Sequence, residues 1–86
     1  MSAPVAILIS GRGSNMVALV QAMSRAGAAA RPVLVLSNDP EAAGLARAAA
    51  LGVATDALDH RAFADRAAFD RALGERLAAA GAEIVA

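Results

Sequence analysis

Short unbroken apolar runs alternate along the chain with stretches whose apolar residues recur at helical spacing. Val5-Ala6-Ile7-Leu8-Ile9 is such a run, of strand length and rich in β-branched residues, and it predicts a strand buried on both faces. Over residues 14–26, Met16, Leu19, Val20 and Met23 fall at i, i+3, i+4 and i+7, the stripe of an amphipathic helix. Ser14 or Asn15 is placed to cap its start, and Gly27 to take the left-handed position past its end. Pro32-Val33-Leu34-Val35-Leu36 predicts a second buried strand, ending in Ser37-Asn38. Asp39-Pro40-Glu41 then reads as a helix start, with Asp39 as N-cap, Pro40 at the first helical position and Glu41 at the positive end of the dipole. That helix is expected to run to Leu51 and stop at Gly52.

The second half is patterned more weakly. Val53-Ala54-Thr55-Asp56-Ala57-Leu58 predicts a third strand. A long helix is expected over residues 62–80, with Phe69, Leu73 and Leu77 on its buried side and Asp65, Arg66, Asp70, Arg71, Glu75 and Arg76 on its wet side. Arg66–Asp70 and Arg71–Glu75 are then i,i+4 ion pairs, worth a few tenths of a kcal/mol each. Glu83-Ile84-Val85-Ala86 begins a fourth strand at the end of the sequence. Strands alternating with helices predict βαβ units, hence an α/β fold with a parallel sheet and right-handed crossovers. No internal repeat, linker or low-complexity tract divides residues 1–86, so they read as one domain or part of one.

Composition tempers this picture. A chain of 86 residues buries only about 60–65% of its unfolded surface. The hydrophobic fraction of 58% includes 26 alanines, against two Phe and no Trp or Tyr, so much of the apolar content buries little area. Eight Arg balance eight Asp and Glu, and Lys is absent. A neutral chain without a basic block lacks the clustered cations that nucleic-acid binding needs. No run approaches the ~18 apolar residues of a membrane span. The first ten residues lack the cationic start and cleavage site of a secretory signal. Zero Cys removes disulfides, thiol catalysis and cysteine metal sites, and fits a cytoplasmic protein.

The candidate chemistry lies in Ile9-Ser10-Gly11-Arg12-Gly13-Ser14-Asn15, a glycine-rich turn between the first strand and the first helix. Such a turn aims free backbone N–H groups at the positive end of the helix, a geometry that attracts phosphate. Gly11 and Gly13 let the backbone bend and approach an anion without Cβ interference, and Ser14 and Asn15 add side-chain donors. The triphosphate loop G-x-x-x-x-G-K-[ST] fails because the chain has no Lys. The dinucleotide fingerprint G-x-G-x-x-G is met only at its first two glycines: Met16 stands at the third, and the second strand ends in Ser37-Asn38 where an acid would take the ribose. What the residues leave open is a phosphate-monoester site at Gly13, Ser14 and Asn15, or a tight turn that binds nothing and in which Ser14 merely caps.

The same heptad resembles the opening motif of the glycinamide ribonucleotide (phosphoribosylglycinamide) formyltransferase family. The resemblance continues, in order and with short gaps, through Leu36-Ser37-Asn38, Gly44-Leu45-Ala46-Arg47-Ala48, Gly52-Val53-Ala54-Thr55, Phe63-Ala64-Asp65-Arg66-Ala67-Ala68-Phe69-Asp70 and Glu83-Ile84-Val85-Ala86. It implies a Rossmann-like formyltransferase fold, of which these residues would form the N-terminal βαβαβαβ part. It also implies folate-dependent formyl transfer from 10-formyltetrahydrofolate, the cosubstrate, to the amine of 5′-phosphoribosylglycinamide in de novo purine biosynthesis, with no metal. The residues matching Gly13, Ser14 and Asn15 hold the substrate's 5′-phosphate in that family, and the one matching Arg66 contacts the folate donor. Arg12 falls where the family varies and reads as a solvated loop residue.

The family's catalytic asparagine, histidine and aspartate lie beyond the fourth strand, so the resemblance implies no catalytic residue within residues 1–86 and an inactive chain in isolation. His60, the one histidine, has Asp56 and Asp59 as candidate partners but no Ser or Cys beside it for a nucleophilic constellation; it reads as a surface or capping residue. The short fourth strand leads to the expectation of a chain cut within the fold, with an apolar sheet edge open to self-association. Two other readings compete. Formyltetrahydrofolate deformylase shares the core but carries a regulatory domain before the first strand, whereas here that strand begins by Val5. A non-catalytic phosphate-binding α/β module would instead be a stable 86-residue unit.

Overall fold

The computed structural model describes residues 2–10, 12–25 and 27–86; the expectations for Gly11 in the loop and Ala26 at the end of the first helix lie outside these. The elements follow the predicted alternation: β1 (Ala3–Ile9), α1 (Ser14–Met23), β2 (Ala30–Ser37), α2 (Ala43–Ala50), β3 (Thr55–Ala57), a 3-10 turn (His60–Ala62), α3 (Arg66–Ala79) and β4 (Ile84–Val85). The four strands form one parallel sheet in the order β3-β2-β1-β4. The chain thus steps outward from β1 to β3 and returns to the opposite side of β1. In open α/β sheets, that reversal marks the crevice where ligands bind, beyond the carboxyl ends of the strands.

Strand alternation divides the core into two layers. Val5, Ile7 and Val35 face Met16 and Val20 of α1, Ala48 of α2 and Val53. Ala6, Leu34 and Leu36 face the opposite way, toward Leu58, Phe63 and the Phe69, Leu73 and Leu77 side of α3. The Phe63 and Phe69 rings meet edge to face, with centroids 5.6 Å apart and planes at 84°, the arrangement favoured by the ring quadrupoles. α3 carries no fully buried residue, so this second layer is the thinner one. Pro32 has no N–H to give the sheet. The β1–β2 register shifts beside it, Val5 opposing Pro32 while Ala6 opposes Leu34, an irregularity that passes over Val33.

Local chemistry moves several predicted boundaries. α1 ends at Met23, short of residue 26, because the Ser24 hydroxyl donates back to the Val20 carbonyl at 2.8 Å; Gly27, at φ +79°, takes the left-handed position as expected. α2 does not start at Asp39. The Asp39 N–H donates to Ser37 Oγ at 3.0 Å, and the Asp39 carboxylate accepts the Glu41 N–H at 2.9 Å. This Asx turn spends the predicted cap on a turn, so the helix begins only at Ala43, behind Ala42, with no side-chain cap. α3 begins at Arg66, not near residue 62, because Asp65 is the N-cap and accepts the Ala68 N–H at 2.8 Å. The third strand shrinks to Thr55–Ala57.

The charge pattern on α3 is also redrawn. Arg66 pairs with Asp70 at 3.3 Å as expected. Arg71–Glu75 is not among the ion pairs of the described residues. Arg76 instead reaches across to Asp56 on β3, tying the helix to the sheet edge. Among the described residues no helix is long and apolar enough to cross a membrane.

The hydrogen bond from Arg76, opposed by some desolvation and helped by the Ala57 N–H, holds the Asp56 carboxyl below the usual carboxylate range. A carboxyl lowered on folding stabilises the fold above its unfolded pKa, about 3.9, and that contribution fades as pH falls through the lower folded value. Asp56→Asn is therefore expected to cost about 0.5 kcal/mol in urea unfolding at pH 7 and nothing measurable once the pH is below the folded pKa of Asp56.

Candidate functional site

The loop after β1 is shaped by one residue that only glycine suits. Gly13 sits at φ +72°, ψ 30° and is the N-cap of α1, without a side-chain cap bond. Its carbonyl accepts the Val17 N–H at 3.0 Å, the first bond of the helix. Neither Ser14 nor Asn15 caps the helix as predicted. Both lie inside its first turn, exposed, because the left-handed turn at Gly13 already starts the helical path. Their side chains are consequently free of the capping duty, and the first backbone N–H groups of α1 have no intrahelical acceptor.

These groups open into a cleft of about 460 Å³ beyond the end of β1, walled by Ser10, Arg12, Gly13, Ser14 and Asn15 on one side and by Leu8 and Leu19 on another. Arg12 stands exposed at this cleft. What seats the loop is its contact with the start of α2. A Cβ placed on Gly13 would lie 3.0 Å from Gly44 Cα, and one placed on Gly44 would lie 3.1 Å from Gly13 Cα, 3.1 Å from the Arg12 carbonyl oxygen and 2.6 Å from Ile9 Cδ1. Two backbones meet here with no side chain between them. Gly44 belongs to no glycine-loop motif in the sequence; its one signal there is a lone glycine inside an alanine-rich helical stretch.

Two further clefts continue along the same edge of the sheet. One, of about 280 Å³, shares Leu8, Ile9 and Ser10 with the first and adds Asn38, Arg66 and Phe69. The next, of about 400 Å³, is lined by Asn38, His60, Phe63, Asp65, Arg66 and Phe69. Gly13, Ser14 and Asn15 at one end and Arg66 at the other thus share the carboxyl edge of β1 and β2. Arg66 is the first residue of α3, its side chain 87% exposed.

His60 starts the 3-10 turn, exposed at the surface. Its backbone N–H donates to the Asn38 carbonyl oxygen at 3.3 Å, and its ring Nδ1 lies 3.2 Å from the same oxygen. The carboxylates predicted as its partners are engaged elsewhere: Asp56 with Arg76, and Asp59 with Arg61 at 2.9 Å. Asp59 caps the 3-10 turn by accepting the Arg61 N–H at 3.0 Å. The Arg61 side-chain and backbone hydrogen bonds hold its carboxyl below the usual range, while the Arg61 guanidinium is pushed up by the same pairing. Among the described residues no three His, Cys, Asp or Glu side chains gather as a metal site.

A parallel α/β sheet with a glycine loop at its reversal point, and a helix start beside a cleft, defines an open α/β domain of the kind that places its ligands at the carboxyl ends of the strands. Residues 3–86 match the family model described as formyl transferase, and the chain belongs to that family. It is 41% identical over 83 residues to the trifunctional purine biosynthetic protein adenosine-3 of Bos taurus, covering 96% of this chain and 8% of that protein. It is 41% identical over 69 residues to the phosphoribosylglycinamide formyltransferase of Escherichia coli (strain K12), covering 80% of this chain and 32% of that one. The solved phosphoribosylglycinamide formyltransferase of Brucella melitensis superposes with a TM-score of 0.95 at 39% identity, over 99% of this chain and 44% of the other. The chain thus spans less than half the length of the relatives it matches.

Three glycine substitutions separate backbone contact from helix propensity. Gly13→Ala is expected to cost about 1–2 kcal/mol through its left-handed φ alone, a fall of roughly 4–8 °C in Tm per kcal/mol. Gly44→Ala is expected to destabilise and to shift the Ser14 and Asn15 amide resonances, because its methyl meets backbone at Gly13. Gly74→Ala, in the exposed middle of α3 with nothing within 4 Å of the added Cβ, is expected to stabilise by up to about 1 kcal/mol. Thermal unfolding with amide spectra of the three variants checks the signs.

Proposed function

We propose that residues 1–86 form the N-terminal, substrate-phosphate-binding part of a phosphoribosylglycinamide formyltransferase domain. The observation that carries this reading is the Gly13 loop, packed backbone to backbone on Gly44, with the first N–H groups of α1, which have no hydrogen-bond partner among the described residues, belonging to residues that line the adjoining cleft. Names of the relatives support the substrate: 5′-phosphoribosylglycinamide, whose 5′-phosphate is taken by Gly13, Ser14 and Asn15. The bound phosphate fixes one end of the substrate, so that binding energy remote from the amine is used to orient it.

The formyl transferase family implies a folate-type formyl donor, and we assign 10-formyltetrahydrofolate to the neighbouring clefts. The residues there fit such a molecule in kind: Phe63 and Phe69 offer apolar ring surface, and Arg66 offers a cation for a carboxylate. When bound, the donor supplies the formyl group that passes to the substrate amine. This chain's own residues anchor and orient, and the reading assigns none of them to the reacting atoms, so the isolated chain is expected to show no formyl transfer. Under the same reading the protein works in the cytoplasm. Ile84 and Val85 are each 49% exposed on the outermost strand of the sheet, and we propose that this edge pairs with a second copy in the isolated chain. Sedimentation should then show concentration-dependent dimers that Val85→Lys abolishes.

The phosphate assignment is tested by titrating the chain with 5′-phosphoribosylglycinamide and, separately, with ribose 5-phosphate, following amide resonances. Both are expected to shift Gly13, Ser14 and Asn15, since both carry the phosphate. Asn15→Ala is expected to weaken both about tenfold, as loss of one hydrogen bond to a charged group does. No phosphate-dependent shift at these three amides would remove the assignment.

A further inference from the structure

We propose that the side-chain amide of Asn38 contacts the formyl donor and that His60 is the positioning residue that holds it in place; this rests on the reading of the Arg66 clefts as the donor site. Asn38 is the first residue past the end of β2, on the carboxyl side of a central strand, the region where open parallel sheets meet their ligands. With Arg66 and Phe69 it forms a shared wall of the second and third clefts.

An Asn at a strand end ordinarily forms a turn by bonding its own backbone. Here its neighbours do that. Ser37, fully buried, accepts the Asp39 N–H on its hydroxyl, and Asp39 accepts the Glu41 N–H on its carboxylate. The Ser37 carbonyl accepts the Leu58 N–H at 2.9 Å. The Asn38 carbonyl is taken twice, by the backbone N–H of His60 and by its ring. Because that acceptor is a carbonyl oxygen, ring Nδ1 must carry the hydrogen. The Asn38 carboxamide itself is exposed and, among the described residues, makes no hydrogen bond. The backbone of Asn38 is therefore held from both sides while its side chain, with two donors and one acceptor, is left for something not in the fold.

His60 is in turn held by its own turn. Asp59 accepts both the backbone N–H and the guanidinium of Arg61, and Arg61 also lies 3.9 Å from Asp39. The loops following β2 and β3 are thereby joined into one unit, and Asn38 and Arg66 both line the clefts next to it. An amide beside a guanidinium suits an amide or carboxylate group on the donor, the amide reading the polar edge and the guanidinium the charge.

The full chain is titrated with 10-formyltetrahydrofolate and, in parallel, with ribose 5-phosphate, following the amides of residues 38, 66 and 14. Asn38→Ala is expected to weaken donor binding about fivefold to tenfold and Asn38→Asp more, while ribose 5-phosphate still shifts Ser14 as in the parent chain. His60→Ala is expected to weaken donor binding severalfold, and His60→Gln, which keeps a side-chain N–H donor, to recover most of the loss; a residue that only supported the fold would weaken both ligands together. Arg66→Ala tells the two readings apart. If Arg66→Ala weakens the donor and Asn38→Ala does not, the Asn38 assignment is overturned and the donor site stands. If the donor shifts none of these residues in the parent chain, the donor site is overturned and the Asn38 assignment with it.

Discussion

The close approach of Gly13 and Gly44 is the constraint on which the arrangement of the site depends. A helix start can present its N–H groups to an anion only if the preceding loop turns back sharply enough to leave them uncovered. Gly13 makes that turn with a positive φ, and Gly44 removes the side chain that would otherwise hold α2 away from it. The second glycine sits in a helix, where it costs about 1 kcal/mol relative to alanine. In a chain this rich in alanine, keeping a glycine there is explained by the backbone it touches. Ile9, whose Cδ1 would lie 2.6 Å from a Cβ on Gly44, closes the third side of this contact from β1. Strand, loop and second helix are thus fixed at a single point below the cleft.

From that point the sheet order spreads the rest of the site along one edge. With β1 central and β2 beside it, the residues just past both strands, Ser10 and Asn38, fall between the glycine loop and the start of α3. Asp65 then sets where α3 begins, so the first helical residue is Arg66. A helix starting near residue 62 would carry Arg66 a turn deeper along its axis. The Phe63–Phe69 contact fills the space that the extended residues before the cap leave over the sheet. The cap and the ring pair together place Arg66, exposed and paired with Asp70, among the residues that line the clefts.

Hydrophobic periodicity carried the fold: each strand and helix lies where an apolar run or stripe lies, and the parallel α/β reading follows from their alternation. Boundaries failed where a short polar side chain had a closer partner than the one its position suggested. Asp39 looks like an N-cap in sequence, but Ser37 and Glu41 draw it into a turn; Asp65 looks like a wet-face acid, yet it is the cap. Arg76 lies at helical spacing from the acids of α3 but reaches Asp56, twenty residues earlier. Such choices depend on what the fold brings near. In the candidate site, the resemblance points to Gly13, Ser14, Asn15 and Arg66, which the fold sets along one sheet edge, whereas Gly44 and the Asn38–His60 bond were not legible, because both are contacts between elements distant in sequence.

The charge balance of the chain acquires a meaning from this geometry. Eight cations against eight anions and no lysine would be a poor composition for holding a phosphate by ion pairing, and most of the arginines whose partners are visible are paired with acids across the surface. A helix start needs no net charge to bind an anion, since its unpaired N–H groups and the aligned peptide dipoles supply about half an elementary charge at fixed positions. Those donors are also already ordered by the fold, whereas a lysine would have to give up the freedom of four rotatable bonds to reach the same oxygen. Under the proposed phosphate role, anion binding would therefore rest on backbone geometry, and on two glycines in place of an added cation.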